Sequence, residues 1–324
     1  MSQAATPEGQ ADAPRTERHL SARAASQAIT AELLERVSTQ LEHLSTRLQQ
    51  GESAELLAFM RFSARFHSYS LNNQLLIWTQ APASQYVAGF RNWLASGRSV
   101  KKGAKAVRIL APLTVKDPDA ARTTEGKQPQ KLVGFRYVSV FADYDTEGEP
   151  LPTQGFMTVP GGDEGHRALI DDLSSAVPVP VRWEDAPHTA LVVNGRPWGR
   201  HSSAHGWTDG QQIVLNTARC AGQPAHALRV FFHEWAHAEL HFTDNGQRPE
   251  DLPSRAVREL EADGAAYVLC AAYGIDATAQ TADYVTAWGG HAEALQTSLK
   301  RIAKTVSRVQ ERIQAQQTAR SAAD

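Results

Sequence analysis

Two histidines four residues apart place the strongest constraint on how this chain can fold. They are His233 and His237, in the run Phe-Phe-His-Glu-Trp-Ala-His-Ala. On an α-helix such residues leave the same face about one turn apart, so both imidazoles can reach one Zn²⁺ at about 2.0–2.1 Å. Glu234 stands beside the first histidine, where it can take a proton from a metal-bound water, as in the HExxH pattern. We expect a helix with one face open to a metal; the alternative is a helix with two ordinary histidines.

A third ligand is expected on the next helix, in the run Glu-Leu-Glu-Ala-Asp that begins at Glu259. Glu259 and Asp263 share a helix face, so Glu259 can bind the metal while Asp263 orients a ligand histidine. Glu261 is the rival ligand, but it points about 160° away from Glu259. His241 is about 12 Å along the helix from His233, too far for three ligands around one ion. It is expected either to support a ligand or to lie at the surface.

Two histidines and one glutamate leave a coordination position open for water, which is typical of a hydrolytic zinc site rather than a structural one. Glu234 is then the expected general base, passing its proton to a leaving amine. The strand predicted at 212–215 could be an edge onto which an extended peptide adds. The residue that stabilises the oxyanion stays open among His201, His205 and Tyr267.

The formal net charge is only −2, but basic residues are concentrated in one segment. From Arg61 to Lys116 there are nine Lys or Arg and no Asp or Glu. Surfaces that bind single-stranded nucleic acid without sequence preference combine cations with aromatic platforms for bases. The alternative is that Phe90 and Trp93 belong to the core and the cations to a solvated face. The candidate DNA-binding residues are Asn73, Arg91, Trp93, Arg98, Lys101, Lys102 and Lys105.

Hydrophobic periodicity predicts an α+β fold in two domains. Helices are expected at 29–48, 54–66, 71–78, 166–175, 226–242, 254–273 and in an amphipathic stretch after 291 that packs back on the body or pairs between chains. Strands are expected at 107–110, 135–141, near 181 and 191, and at 212–215. The predicted organisation is a disordered tail at 1–26, a first domain at 27–152, a linker at 153–165, a second domain at 166–290 and a helix with tail at 291–324.

No secretory signal or membrane-spanning run is evident, and the only cysteines are Cys220 and Cys270. Two cysteines are too few for a disulfide framework, so a reducing cytoplasm is the expected setting.

Both halves of the sequence resemble the ArdC antirestriction proteins. HEWAH followed by ELEAD is similar to the gluzincin arrangement, and ELEADGAAYVLCAAYGI resembles the C-terminal, zincin-like metallopeptidase domain of ArdC proteins. NNQLLIWTQ, VAGFRNWLASGRSVKKGAKAVRILAP and GFRYVSVFADYDTEGEPLP resemble their N-terminal domain, which binds single-stranded DNA. The resemblance implies His233, His237 and Glu259 as ligands, Glu234 as the catalytic glutamate, and protection of incoming plasmid DNA from host restriction.

Three functions are compatible with these features. The first is a protein that binds single-stranded DNA through its N-terminal half and hydrolyses a peptide bond in its C-terminal half, with Zn²⁺ or another divalent metal such as Mn²⁺. The second is a non-catalytic module in which the metal stabilises a DNA-shielding fold. The third is a regulator similar to the ImmA/IrrE peptidases, whose short link between the two site helices this chain shares, that cleaves a repressor. Intact Glu234 favours catalysis, because a structural site has no use for a base there.

Overall fold

The computed structural model describes residues 15–116, 128–151, 163–184, 192–193, 196–197, 204–243, 245–278, 281 and 291–322. Helices and strands are mixed in it, which confirms the predicted α+β class. The helices are α1 Arg15–Gln49, α2 Ala54–Ser63, α3 Leu71–Gln80, α4 Phe90–Ala95, α5 Asp163–Ser174, α6 Thr217–Cys220, α7 Pro224–His241, α8 Arg255–Ala272 and α9 Ala292–Ser321. The strands are β1 Val87–Ala88, β2 Arg98–Val100, β3 Val107–Lys116, β4 Gln130–Ala142, β5 Thr146–Gly148, β6 Val181–Glu184, β7 Val192–Val193, β8 Arg196–Pro197, β9 Gly206–Thr208 and β10 Ile213–Asn216.

Helix α1 is longer than the sequence predicts. Its buried face consists of apolar residues spaced three or four apart, each 3% exposed or less: Leu33, Val37, Leu41, Leu44 and Leu48. The helix begins at Arg15, inside the segment 1–26 that the sequence predicts to be a disordered tail. The sequence argument weighs large apolar residues and undervalues the alanines and arginines of this segment, which have a high helix propensity. Residues 1–14 of the predicted tail lie outside the described residues.

In the N-terminal half, β3 and β4 form a long antiparallel ribbon, and β1 adds to β4. The ribbon runs from the pair Val107↔Val140 to the pair Lys116↔Gln130. Its base is buried, whereas Leu113, Val115, Leu132 and Val133 are all at least 40% exposed. The predicted strands at 107–110 and 135–141 were too short, because only the base of the ribbon carries a buried apolar pattern. Strands β2 and β5 form a second antiparallel pair; β2 precedes the ribbon in the sequence and β5 follows it.

In the C-terminal half, β10 is the central strand of a three-stranded sheet. It pairs in parallel with β6 and antiparallel with β9, so the strand order is β6-β10-β9. The predicted strand at 212–215 is therefore not the edge that an added peptide would use. Among the described strands of this sheet, β9 is the edge on the side of α7, which packs against both β9 and β10.

Helix α9 packs back on the protein rather than projecting from it. Leu295, Leu299, Ile302, Val306 and Val309 are each 3% exposed or less, and the helix contacts α8, α1 and α7. Helix α2 also packs on α8, so residues of both predicted domains share one apolar core. The predicted linker falls mostly outside the described residues, and helix α5 already begins within it, at Asp163.

None of the helices in the described ranges combines the length and the apolar composition needed to cross a lipid bilayer.

Candidate functional site

Helix α7 presents one face to the core and another to a cleft. Pro224 is its first residue, where a missing N–H costs nothing. Leu228, Phe231, Phe232 and Trp235 are 0% exposed and fix the helix against the sheet and α8. The face that lines the cleft carries polar residues at steps of three and four: His226, Arg229, His233, His237 and His241.

Three side chains converge at one point of this cleft. His233 Nε2 lies 3.0 Å from His237 Nε2, and Glu259 Oε2 lies 3.3 Å from His237 Nε2 and 3.5 Å from His233 Nε2. Ligands at about 2.0–2.1 Å around a tetrahedral ion are themselves separated by about 3.3 Å. The three atoms therefore have the chemistry and the spacing to hold a divalent metal ion. Hydrogen bonds from both histidines hold the pKa of Glu259 well below its usual range, so it is a carboxylate near neutral pH.

Asp263 lies behind His233, where the sequence placed it. Its Oδ1 is 2.9 Å from His233 Nδ1 and accepts a hydrogen bond of 2.5 Å from Arg229. A carboxylate that accepts a hydrogen bond from the ring nitrogen not bound to the metal fixes the tautomer and orientation of a ligand histidine. Burial alone would lower the pKa of His233, but hydrogen bonds to Asp263 and Glu259 outweigh it and raise that pKa to about 10.

Glu261 points away from this centre, toward α9. It is 1% exposed, accepts a hydrogen bond of 3.1 Å from Ser298 Oγ, and lies 3.1 Å from Arg301 Nε. Its other neighbour is His241, whose Nε2 is 3.5 Å away. His241 is 2% exposed, so of the two roles left open for it the surface position is excluded.

Glu234 lies beneath the edge strand β9 and is 7% exposed. A Cβ added to Gly206 would come within 3.0 Å of Glu234 Cγ and 2.6 Å of Val230 Cγ1, so only glycine fits between the strand and α7. Burial raises the pKa of Glu234 to about 7; His233 opposes this shift, and the carboxylates of Glu259 and Asp263 add to it. A carboxyl with this pKa can accept and return a proton near neutral pH.

The cleft encloses about 590 Å³ between β9, α7 and α8. Of the predicted oxyanion candidates, His201 lies outside the described residues, and Tyr267 is 2% exposed and does not line the cleft. His205 does line the cleft, and its Nδ1 lies 2.6 Å from Nε2 of His226. Sequence reasoning missed His226, although its position seven residues before His233 puts it on the same helix face.

Two of the predicted DNA-binding residues are structural. Asn73 is 8% exposed, and its side chain donates to Leu110 O and accepts from Leu110 N, both at 2.9 Å. Trp93 is 3% exposed and donates from Nε1 to Phe141 O at 3.0 Å. Neither can meet a nucleotide, so both assignments are corrected. An amide or an indole in a sequence does not reveal whether its polar atoms are already taken by the backbone.

The remaining predicted cations divide into two groups. The Arg98 guanidinium binds Thr146 and the carbonyls of Gly148 and Glu149, and Lys101 Nζ donates to Tyr144 O at 2.9 Å. Arg91, Lys102 and Lys105 are exposed. Pairing of β2 with β5 brings the acidic residues of 143–149 next to this basic segment, which the separation along the sequence concealed.

The ribbon carries cations that are not among the predicted DNA-binding residues. Arg108, Lys116, Lys131 and Arg136 are exposed on β3 and β4, and these two strands contain no Asp or Glu. Phe135 is 40% exposed and lies on the same ribbon face as Tyr137, over which Arg108 stacks with its Cζ 6.0 Å from the ring centroid. The alternation of side chains along β3 and β4 identifies this face only once the pairing register of the two strands is known.

Comparison with known proteins identifies a domain family in the N-terminal half. Residues 27–141 match the family described as the N-terminal domain of anti-restriction factor ArdC. An uncharacterised Bacillus anthracis protein, pXO2-81, is 25% identical over 78% of this chain, which spans only 46% of that protein's length. Crystal structures of the antirestriction protein ArdC from the R388 plasmid are similar at TM-scores of 0.49 (metal-free, 20% identity, 85% of this chain and 98% of that one) and 0.48 (Mn(II)-bound, 18% identity, 84% and 97%). We conclude that residues 27–141 form a domain of the family described as the N-terminal domain of anti-restriction factor ArdC.

Proposed function

We propose that the C-terminal half is a zincin-like, metal-dependent peptidase. The observation that carries the proposal is the convergence of His233, His237 and Glu259 within 3.0 to 3.5 Å of one another, beside the buried Glu234. A bound Zn²⁺ would supply Lewis acidity toward the scissile carbonyl and make a water a better nucleophile near neutral pH. Two histidines and one carboxylate are a donor set that suits zinc, and Mn²⁺ is an alternative occupant.

In this proposal, Glu234 transfers the proton of the attacking water. Glu234 accepts a proton from the attacking water, whose oxygen forms a bond to the carbonyl carbon. The same carboxyl returns that proton to the amide nitrogen as the C–N bond breaks, leaving a free acid and a free amine. Burial of Glu234 favours its protonated form, which suits the return of the proton.

The substrate position follows from β9. Among the described strands it is the edge of the sheet beside the three proposed ligands, and an extended peptide can add to such an edge through main-chain hydrogen bonds. Gly206 keeps this strand close to Glu234. His205 and His226 line the same cleft, and we propose them as the donors to a developing oxyanion.

The test is a comparison of wild type with Glu234→Gln after loading with Zn²⁺ or Mn²⁺. The variant removes the base but no ligand, so it should bind about one equivalent of metal and hydrolyse no protein substrate. His237→Ala and Glu259→Ala should lose the metal. Hydrolysis that survives in Glu234→Gln, or that survives a chelator in wild type, contradicts the proposal.

We further propose that the N-terminal domain binds single-stranded DNA, as the ArdC resemblance implies. The supporting observation is the acid-free ribbon, on which Arg108 and Lys116 share a face with Phe135 and Tyr137, while Lys131 and Arg136 are exposed on the other face. Cations along a backbone path together with aromatic faces are what single strands bind without sequence preference. Protection of incoming plasmid DNA would be the corresponding cellular role.

Binding of a fluorescent oligonucleotide by the full chain, with and without chelator, tests this second function. Binding that is unaffected by chelator would separate it from the metal centre. If no single strand binds even at low salt, the peptidase stands alone and the repressor-cleaving alternative gains support.

A further inference from the structure

We propose that the metal cleft selects peptides with acidic residues, through Arg248, Arg255 and Arg258 on its wall. This inference deepens the proposed peptidase function and rests on it. The three arginines line the same cleft as the metal ligands and the edge strand β9.

The charges that line the cleft are unevenly distributed. Its three carboxylates, Glu234, Glu259 and Asp263, all lie at the metal centre, where Asp263 is already paired with Arg229. Away from the centre the lining is cationic. Within the described part of the chain, the ion pair found for these three arginines is a long one, Arg255 Nε to Glu259 Oε1 at 3.7 Å.

Arg255 and Arg258 occupy the first turn of α8, where cations are disfavoured. The positive end of a helix dipole prefers Asp or Glu there, yet this turn contains no acid. The helix start is instead secured by Ser254, whose hydroxyl accepts a hydrogen bond from Val257 N. The Arg255 side chain is 80% exposed. Helix dipole and arginines together form a wall that attracts anions.

Arg248 closes the cleft near the other end of β9. A Cβ on Gly246 would lie 2.7 Å from the Gln211 side chain and 3.0 Å from Gly210 O, so this segment packs tightly on the β9–β10 turn. Arg248 stacks over Phe242, with its Cζ 5.2 Å from the ring centroid. A peptide added along β9 would therefore lie in the same cleft as Arg248 and the two arginines of α8.

An acidic peptide fits these observations better than DNA does. Main-chain pairing with β9 supplies affinity that is independent of side chains, while the arginines recognise carboxylates beside the scissile bond. A nucleic acid has no main-chain partner for a strand edge. Because Arg248 and Arg255 are exposed and Arg258 is half-buried, the effect on affinity should be moderate and should weaken with salt.

The experiment measures binding to full-length, metal-loaded Glu234→Gln protein, so that hydrolysis is not needed. Fluorescent octapeptides of equal length, rich in Asp, in Lys or in Ser, are compared by anisotropy at low and high salt. The Asp-rich peptide should bind best. Adding Arg255→Glu and Arg258→Glu should weaken its binding about five- to tenfold and improve binding of the Lys-rich peptide.

The matched control is the pair Lys300→Glu and Lys304→Glu, which makes the same change in charge at two exposed positions of α9 outside the cleft and should leave peptide binding unchanged. Equal binding of all three peptides, or equal losses in the two charge-reversal variants, would overturn the inference. So would a single-stranded oligonucleotide that competes with the peptide through Arg255 and Arg258. Hydrolysis of an unfolded protein by the wild type is scored separately, so failure of the peptidase function is distinguishable from failure of the acidic preference.

Discussion

The Nδ1 atoms of His237 and His241 lie 2.8 Å apart, with His237 Nε2 turned toward Glu259. His241 in turn contacts Glu261, and Glu261 is held by Ser298 and Arg301 of α9. A line of buried polar groups therefore runs from the C-terminal helix to a predicted metal ligand. Partners on the far nitrogen of a ligand histidine determine its tautomer and direction.

The first prediction is that Glu261→Gln weakens metal binding without removing a ligand. Loss of the charge that orients His241 should reduce metal affinity about 10- to 100-fold. The measurement is metal affinity by competition with a chromophoric chelator, at a temperature where circular dichroism shows the variant folded. Glu311→Gln, on the exposed side of α9, is the control and should keep wild-type affinity. Unchanged affinity in Glu261→Gln would show that the line of contacts has no influence on the metal.

The sequence was most informative where helical periodicity alone determines which side chains share a face. The four-residue spacing of His233 and His237 and the shared face of Glu259 and Asp263 predicted the positions that these side chains occupy. It was least informative where contacts between distant segments determine a residue's environment. Asn73 is predicted to bind DNA, but its side-chain amide is hydrogen-bonded to the backbone of Leu110. The strand β10 is predicted to be an edge, but β9 pairs with it. The sequence predicts a purely basic surface for this segment, because nothing local shows that β5, with its neighbouring acids, pairs with β2.

The second prediction concerns Asn73, whose amide joins α3 to β3. Asn73→Ala leaves the N–H and C=O of Leu110 without these partners, which should cost about 1–3 kcal/mol of unfolding free energy. Urea denaturation followed by circular dichroism measures it. Asn92→Ala, at an exposed position of α4, should change stability by less than about 0.5 kcal/mol. If Asn73→Ala were fully stable but deficient in DNA binding, the original interface assignment would be restored.

The third prediction separates a core aromatic residue from a surface one. Trp93→Ala should lower the unfolding free energy by about 3–5 kcal/mol, because it empties a buried site. Phe135→Ala, on the exposed ribbon, should leave stability nearly unchanged and cost about 1–3 kcal/mol of single-stranded DNA binding if a base stacks there. Thermal melts and oligonucleotide titrations on the same preparations measure both. Wild-type DNA affinity in Phe135→Ala would exclude stacking on the ribbon.

The fourth prediction is that the salt dependence of DNA binding is set by the ribbon. Each phosphate contact on a single strand contributes about 0.7 to the slope of log affinity against log salt, through counterion release. Replacing Lys131 and Arg136 by Ala should therefore reduce that slope by about 1.4 if both contact phosphate. Oligonucleotide titrations at several salt concentrations measure it.

Lys300→Ala with Lys304→Ala is the matched control, since it removes two exposed cations from α9, on a different element. This pair should lower affinity little and leave the slope unchanged. Lys102→Ala with Lys105→Ala extends the test to the turn before β3, where the acids of 143–149 lie nearby and should make the loss smaller. The phosphate path would then follow the ribbon rather than the basic segment as a whole. A slope unaffected by loss of Lys131 and Arg136, but reduced by loss of Lys102 and Lys105, would reverse that order and place the DNA at the turn.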